Sequence, residues 1–226
     1  MAPSEENYKA AMHAIGYLVN TIDMGLTYGG RLRVPLGLQS YPPLFFEQRG
    51  LYTSTDCSFG RRARPHGGHA VMRCNGAILW SSKQFKMAVP DSTAEAETAE
   101  GSRATKSTIY IKNVLMGIGR AAVGAVTLCC DNSAMYDLVK KHGSSQRTRH
   151  FERAITLVKW AVLRLLITPW LVTTDCMIAD IFTKAVDKET FMEMRGWLHN
   201  DIENKGNKVV DRMLTLMKRI GGYPSQ

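Results

Sequence analysis

The sequence predicts an α/β domain: a mixed five-stranded sheet, three antiparallel strands and then parallel ones, flanked by helices. Three observations carry this. Leu51–Asp56 alternates residue by residue as a strand does, and Asn75–Gly76 then sits between His69–Cys74 and Ala77–Trp80, a strong hairpin signal. Ser92–Leu115 is a long helical run with Ser92 or Thr93 as cap and Glu95 placed as in a capping box. From Val123 onward, apolar β-rich runs alternate with helical ones, the signature of strand–helix units joined in parallel.

Taken in order, residues 7–22 read as an amphipathic helix, with Ala11, Ile15, Leu18 and Ile22 at helical spacing and Ser4 as its cap. Asp23–Tyr28 reads as a turn and a short strand, and residues 29–50, rich in Gly and Pro, as a connection. Val123–Cys130 is a buried strand, followed by a helix Ala134–Lys141 and another from about Thr148 to Leu165. Leu166–Val172 is the last strand, placed at an edge or bulge by Pro169. Asp175–Lys184 reads as a helix with Asp180 near its start, and Lys188–Leu198 as another. The boundaries that follow are an N-terminal extension over 1–48, a main domain over 49–200 and a helical tail over 201–226.

A chain of 226 residues with a 45% apolar fraction allows one full domain plus extensions, or two small domains. The net charge of +9 favours a polyanionic partner such as nucleic acid. Five cysteines without a CxxC pattern suggest reduced thiols and an intracellular setting. Glu5, Glu6 and Lys9 interrupt any signal-peptide pattern, and Trp160–Val172, with Arg164 and Pro169, is too short to span a bilayer.

Four acids recur at element ends. Asp56 closes the first strand, Asp131 closes the Val123–Cys130 run, Glu97 lies in the long helix and Asp180 opens a later one. Stepping from Glu97 gives Gly101, Ala104, Thr108, Ile111 and Leu115, a small and apolar face, whereas Glu95 belongs to the wetter side. A carboxylate on a packing face is costly without a partner, which singles out Glu97; the plain alternative is a rim position that reaches water. Asp131 admits two readings, a ligand at the C-terminal edge of a parallel strand or a helix N-cap. Arg61, Arg62 and Arg64 form one basic loop, and Lys140, Lys141, Arg147 and Arg149 belong to a second basic stretch, with phosphate contact or a solvated surface as the competing readings.

This order of strands, helices and acids is the layout of the ribonuclease H fold, and the chain resembles the ribonuclease H domain of copia-type retrotransposon polyproteins. The phrases that carry the resemblance are GAILWSSKQ (Gly76–Gln84), DSTAEAETAE (Asp91–Glu100), CDNSAM (Cys130–Met135), SQRTRHFE (Ser145–Glu152) and ADIFTKAVDKETFMEMRGWL (Ala179–Leu198). Upstream, AAMHAIGYLVNTIDMGLTY (Ala10–Tyr28) resembles the segment that joins a reverse transcriptase to this domain. The chain departs from the family pattern at Thr55-Asp56-Cys57, where one of two acids is missing, at Thr98 in place of a tyrosine, and at Arg64–Gly67.

The resemblance implies endonucleolytic hydrolysis of the RNA strand of RNA–DNA hybrids with two Mg²⁺ ions, Mn²⁺ being the other candidate. Oxygen ligands suit both metals, and two ions about 4 Å apart can activate a water and stabilise the leaving oxygen. Asp56 would bridge the ions, Glu97 and Asp131 would hold the one near the leaving group, and Asp180 the one that carries the water. His150 is a candidate proton shuttle. The hybrid would be recognised by its 2′-hydroxyls and backbone. Further expectations are a reverse transcriptase domain as partner and a cytoplasmic virus-like particle as setting, with the nucleus as the other compartment open to it. The competing reading is a nucleic-acid-binding module of retrotransposon origin that no longer cleaves.

Overall fold

The computed structural model describes residues 4–32, 48–59, 64–85, 90–140 and 151–201. Arg61, Arg62, Lys141, Arg147, Arg149, His150 and the tail from 202 lie outside them. The elements are α1 (Glu5–Asn20), β1 (Tyr52–Ser58), β2 (His66–Arg73), β3 (Gly76–Gln84), α2 (Thr93–Gly117), β4 (Val126–Cys130), α3 (Ser133–Lys140), α4 (Glu152–Leu163), β5 (Ile167–Leu171) and α5 (Lys188–His199). The strands lie in the order β3-β2-β1-β4-β5. β1–β2 and β2–β3 are antiparallel, and β1–β4 and β4–β5 are parallel, the mixed sheet that the sequence predicts. Pro169 sits in β5, an edge strand, where its missing N–H costs no ladder bond on the open side.

Alternation along the strands sends neighbours to opposite faces. Leu128 and Cys130 pack with Ala104 of α2 and with α3 and α4, and Leu51, Val71 and Val126 pack with Ile111 and Leu115 of α2. Tyr52, Ala70, Met72 and Cys129 pack on the other face against Met177, Ile178, Ala179 and Leu198. Polar pairs stitch both layers: Thr53 Oγ1 lies 2.7 Å from Thr108 Oγ1 on α2, and Ser54 Oγ accepts the Ala179 N–H at 3.2 Å.

Three local expectations shift. The hairpin loop is Cys74–Asn75, both at positive φ (51° and 70°), and Gly76 is the first residue of β3. Glycine is needed at 76 for space, because a Cβ there would meet Thr27 O at 2.9 Å and the Tyr28 ring at 2.9 Å. Asp23–Tyr28 forms a turn but no strand; it is held by the Thr27 N–H to His199 O at 3.1 Å and by Tyr28 OH to Ala77 O at 2.8 Å. Residues 175–184 are not an α-helix but lie in two 3₁₀ turns, Thr174–Cys176 and Ile178–Phe182, broken by extended Met177. Met177, Ile178, Ala179 and Asp180 are all buried, and four consecutive residues cannot share one face of an α-helix at about 100° per residue. Tight turns bring them all inward. Gly68 lets the segment lie close, since a Cβ there would meet Phe182 Cβ at 2.5 Å.

All five cysteines are free thiols. No helix among the described residues is long and apolar enough to cross a membrane.

Candidate metal centre

Parallel pairing of β1 and β4 brings their C-terminal ends to one edge of the sheet. Asp56 lies in the last turns of β1 and is 1% exposed; Asp131 follows β4 directly. α2 crosses this edge with its small-residue face inward, and Gly101, Ala104, Thr108, Ile111 and Leu115 are all buried on it. Glu97 opens that face at 5% exposure, and Glu95 is the more exposed of the two helix acids. Glu95 instead closes the helix start: Ser92 Oγ accepts the Glu95 N–H at 3.2 Å, and Glu95 Oε2 accepts from Asp91 N, one residue earlier than a standard capping box.

Asp56, Glu97 and Asp131 each offer a carboxylate oxygen within 4.8 Å of the others. They come from three elements far apart in sequence. The alternative reading of Asp131 as a cap is not what the structure shows: Asn132 Oδ1 accepts the Met135 N–H at 2.9 Å and caps α3. Asp131 Oδ2 accepts from Thr174 Oγ1 at 3.0 Å, so its carboxylate is oriented from across the edge.

Asp180 is 7% exposed and reaches this cluster through Lys184. Lys184 Nζ lies 2.9 Å from Asp180 Oδ1 and 3.5 Å from Asp56 Oδ2, and Thr183 Oγ1 donates to Asp56 Oδ2. Lys184 and Thr183 are the residues that sequence reasoning left out of the site. Spacing alone could not have found them: Asp180 and Lys184 are four residues apart, but the segment is not an α-helix, in which that spacing makes a pair.

Burial dominates the electrostatics. It pushes the Glu97 carboxyl up to about 9, with the charges of Asp56 and Asp131 adding to it and a Cys57 backbone hydrogen bond opposing. Burial also holds Asp180 up, at about 6, against the hydrogen bond from Lys184. For Lys184 burial works downward, but the Asp180 hydrogen bond and the charges of Asp56, Asp180 and Asp131 outweigh it, and the ammonium is held above its ordinary value. The neighbouring thiols are poor ligands at neutral pH, because burial pushes Cys57 up and Cys130 to about 12.

The donor set fits a hard divalent cation. Glu97 Oε2 is shut off from solvent without a hydrogen-bond partner among the described residues, a costly state for a buried oxygen that a cation would relieve. Ionised together, three carboxylates within 4.8 Å would repel one another, and a divalent cation would offset that repulsion. All the donors are oxygens, as Mg²⁺ and Mn²⁺ prefer.

A second buried network stands one helical turn along. His69 Nδ1 lies 2.7 Å from Glu100 Oε1 and His69 Nε2 lies 2.8 Å from Ser107 Oγ, tying β2 to α2. Arg103 bonds Glu100 Oε2 at 3.2 Å and stacks over Phe85 at 4.2 Å. Gly67 leaves room for the Glu100 carboxylate, which a Cβ would strike.

Of the basic residues among those described, Arg64 is exposed just before β2. Lys140 folds back on its own helix, donating to Tyr136 OH with its ammonium 4.2 Å from that ring.

No family model and no curated protein matches the chain. Similar solved structures include the N-terminal ribonuclease H domain of a Mycobacterium tuberculosis protein fused to maltose-binding protein, at 8% identity and TM-score 0.45, covering 64% of this chain and 95% of that one. Ribonuclease H1 of Halobacterium salinarum aligns at 10% identity and TM-score 0.45 over 59% of this chain and 93% of that one. LC11 ribonuclease H1 in complex with an RNA/DNA hybrid aligns at 13% identity and TM-score 0.43 over 59% and 93%. The strand order and strand senses of the described core are themselves those of a ribonuclease H-like α/β fold.

Proposed function

We propose that this chain hydrolyses the RNA strand of RNA–DNA hybrids at the Asp56–Glu97–Asp131 cluster, with two Mg²⁺ or Mn²⁺ ions, during reverse transcription of a copia-type retrotransposon. The observation that carries the reading is the convergence of three carboxylates within 4.8 Å, one of them with a buried, unpartnered oxygen. Divalent ions bound there would supply an activated water and neutralise charge on the scissile phosphate. Asp56 offers an oxygen within 4.8 Å of both Glu97 and Asp131, the position that suits a shared ligand. Thr183 and Thr174 hold the Asp56 and Asp131 carboxylates in place. Lys184 orients Asp180 toward Asp56.

Arg64 and the basic residues Arg61, Arg62, Lys140, Lys141, Arg147 and Arg149 are the proposed backbone contacts, with His150 as proton shuttle. Residues 1–48 serve as the connection to a reverse transcriptase domain, in a cytoplasmic particle. The test is a labelled hybrid incubated with the chain in Mg²⁺ and in EDTA, beside single- and double-stranded RNA. Cleavage of the hybrid's RNA in Mg²⁺ alone supports the reading.

A second reading, a binding module that no longer cleaves, has one observation on its side: Lys184 already forms ion pairs with Asp56 and Asp180. Hybrid binding without cleavage by the wild-type chain selects it.

A further inference from the structure

At the opposite end of the sheet from the acids, three arginines line one cleft. Arg73 ends β2, Arg49 precedes β1 and Arg120 follows α2. From Gly68, which pairs with Asp56, to Arg73 is five residues of strand, roughly 17 Å at the usual rise. The cleft, of about 440 Å³, is completed by Tyr28, Cys74 and Ile78, and among the described residues its lining holds no acid.

Backbone hydrogen bonds from separate segments fix the main chain around these arginines. Arg49 sits at φ 56°, and its carbonyl accepts the Cys74 N–H at 2.8 Å. Gly29 N–H closes on Cys74 O at 2.9 Å, and Arg120 N–H on Leu115 O at 2.7 Å. The Tyr28 hydroxyl is already spent on Ala77 O, so its ring is available as a wall. Arg73 Nε is shut off from solvent and has no hydrogen-bond partner among the described residues. A buried, unpaired N–H donor on a permanent cation is an unfavourable state that an acceptor would relieve. Like charges gathered with no acid among the described lining residues call for an anion, and the planar guanidinium fork matches phosphate geometry.

We propose that Arg49, Arg73 and Arg120 form a phosphate-binding site at the end of the sheet remote from the metal centre. The Tyr28 ring and Ile78 give it apolar walls beyond the phosphate itself. The ligand is a phosphate group, carried either by a small phosphorylated molecule or by the backbone of a nucleic acid that extends along the sheet. The proposal rests on this cleft alone and stands whether or not the acids hydrolyse a hybrid.

Inorganic phosphate titrated into the full chain, followed by the arginine Nε–H NMR signals, is the first arm. A saturable shift of the Arg73 signal is expected, with affinity reduced tenfold or more in Arg73→Gln and several-fold in Arg120→Gln. Arg120 is exposed in a loop, so its variant keeps the fold and reads the site even if Arg73→Gln does not fold. Hybrid binding against salt is the second arm: a backbone phosphate as ligand lowers the salt slope by about one in Arg120→Gln. A phosphate shift with an unchanged slope assigns the site to a small molecule, and a lowered slope assigns it to nucleic acid. If wild type shows no saturable phosphate shift, or one that the variants leave intact, and the slope also stays unchanged, the site does not exist.

Discussion

Asn132 Oδ1 accepts the Met135 N–H at 2.9 Å, and the helix that follows β4 is therefore capped by Asn132, not by Asp131. The two neighbours divide the work, one satisfying an orphan helix donor and the other facing Glu97 and Asp56. Asn132→Ala should destabilise the fold by about 1 kcal/mol, the usual worth of an N-cap. Asp131→Asn should leave stability unchanged or raise it in metal-free buffer, since it removes a negative charge close to Asp56. Urea unfolding of both variants checks this; a larger loss for Asp131→Asn than for Asn132→Ala would return the capping role to Asp131.

Glu97 gives the metal-free protein a pH-dependent stability. The unfolded chain releases this proton near 4.5, whereas the folded chain keeps it until about 9. Between those values the folded state binds more protons, so stability falls as pH rises. Glu97→Gln cannot release a proton and should flatten that slope. Melting temperatures in EDTA from pH 5 to 9 read it directly, and identical slopes for the two proteins would refute the buried, proton-holding carboxyl. The same proton must leave before a cation binds, so divalent affinity should weaken as pH falls.

The His69–Glu100–Arg103 network should contribute to the fold rather than to chemistry. Glu100→Ala strips His69 and Arg103 of their shared acceptor in a buried site, a loss of about 3 kcal/mol. Gly67→Ala should also destabilise, because its methyl would strike the Glu100 carboxylate. Denaturant midpoints test both, and a change below about 0.5 kcal/mol for Glu100→Ala would mean that the network is dispensable.

Hybrid affinity should fall steeply with salt, as counterion release requires. Glutamine at Arg147 and Arg149 together should weaken binding and reduce the slope by about two. Unchanged affinity and slope in a fluorescence anisotropy titration would remove that stretch from the interface.

Much of this architecture was legible because it depends on periodicity. Leu51–Asp56 and Val123–Cys130 announce strands, and the Glu97, Gly101, Ala104, Thr108 face announces a helix packed on a sheet. Features set by tertiary contact were not. Asn75–Gly76 marks the hairpin correctly, but the loop lies one residue earlier, because Gly76 is fixed by Tyr28 and not by turn geometry. Asp175–Lys184 has helical spacing, but the sheet surface around Gly68 and Ser54 pulls four consecutive residues inward and forces 3₁₀ turns. Glu97 was legible as a polar residue on an apolar face. His69, Glu100 and Lys184 were not, since their partners lie across elements whose register no local pattern fixes.

Mg²⁺-dependent cleavage of a labelled RNA–DNA hybrid by the wild-type chain and by Asp131→Asn, measured with the melting temperature of the same preparations, tests the metal centre most directly. The expected result is hybrid-specific RNA cleavage by wild type that EDTA abolishes, and a loss of several kcal/mol in transition-state stabilisation in a fully folded Asp131→Asn that still binds hybrid. Unchanged cleavage by folded Asp131→Asn would contradict it.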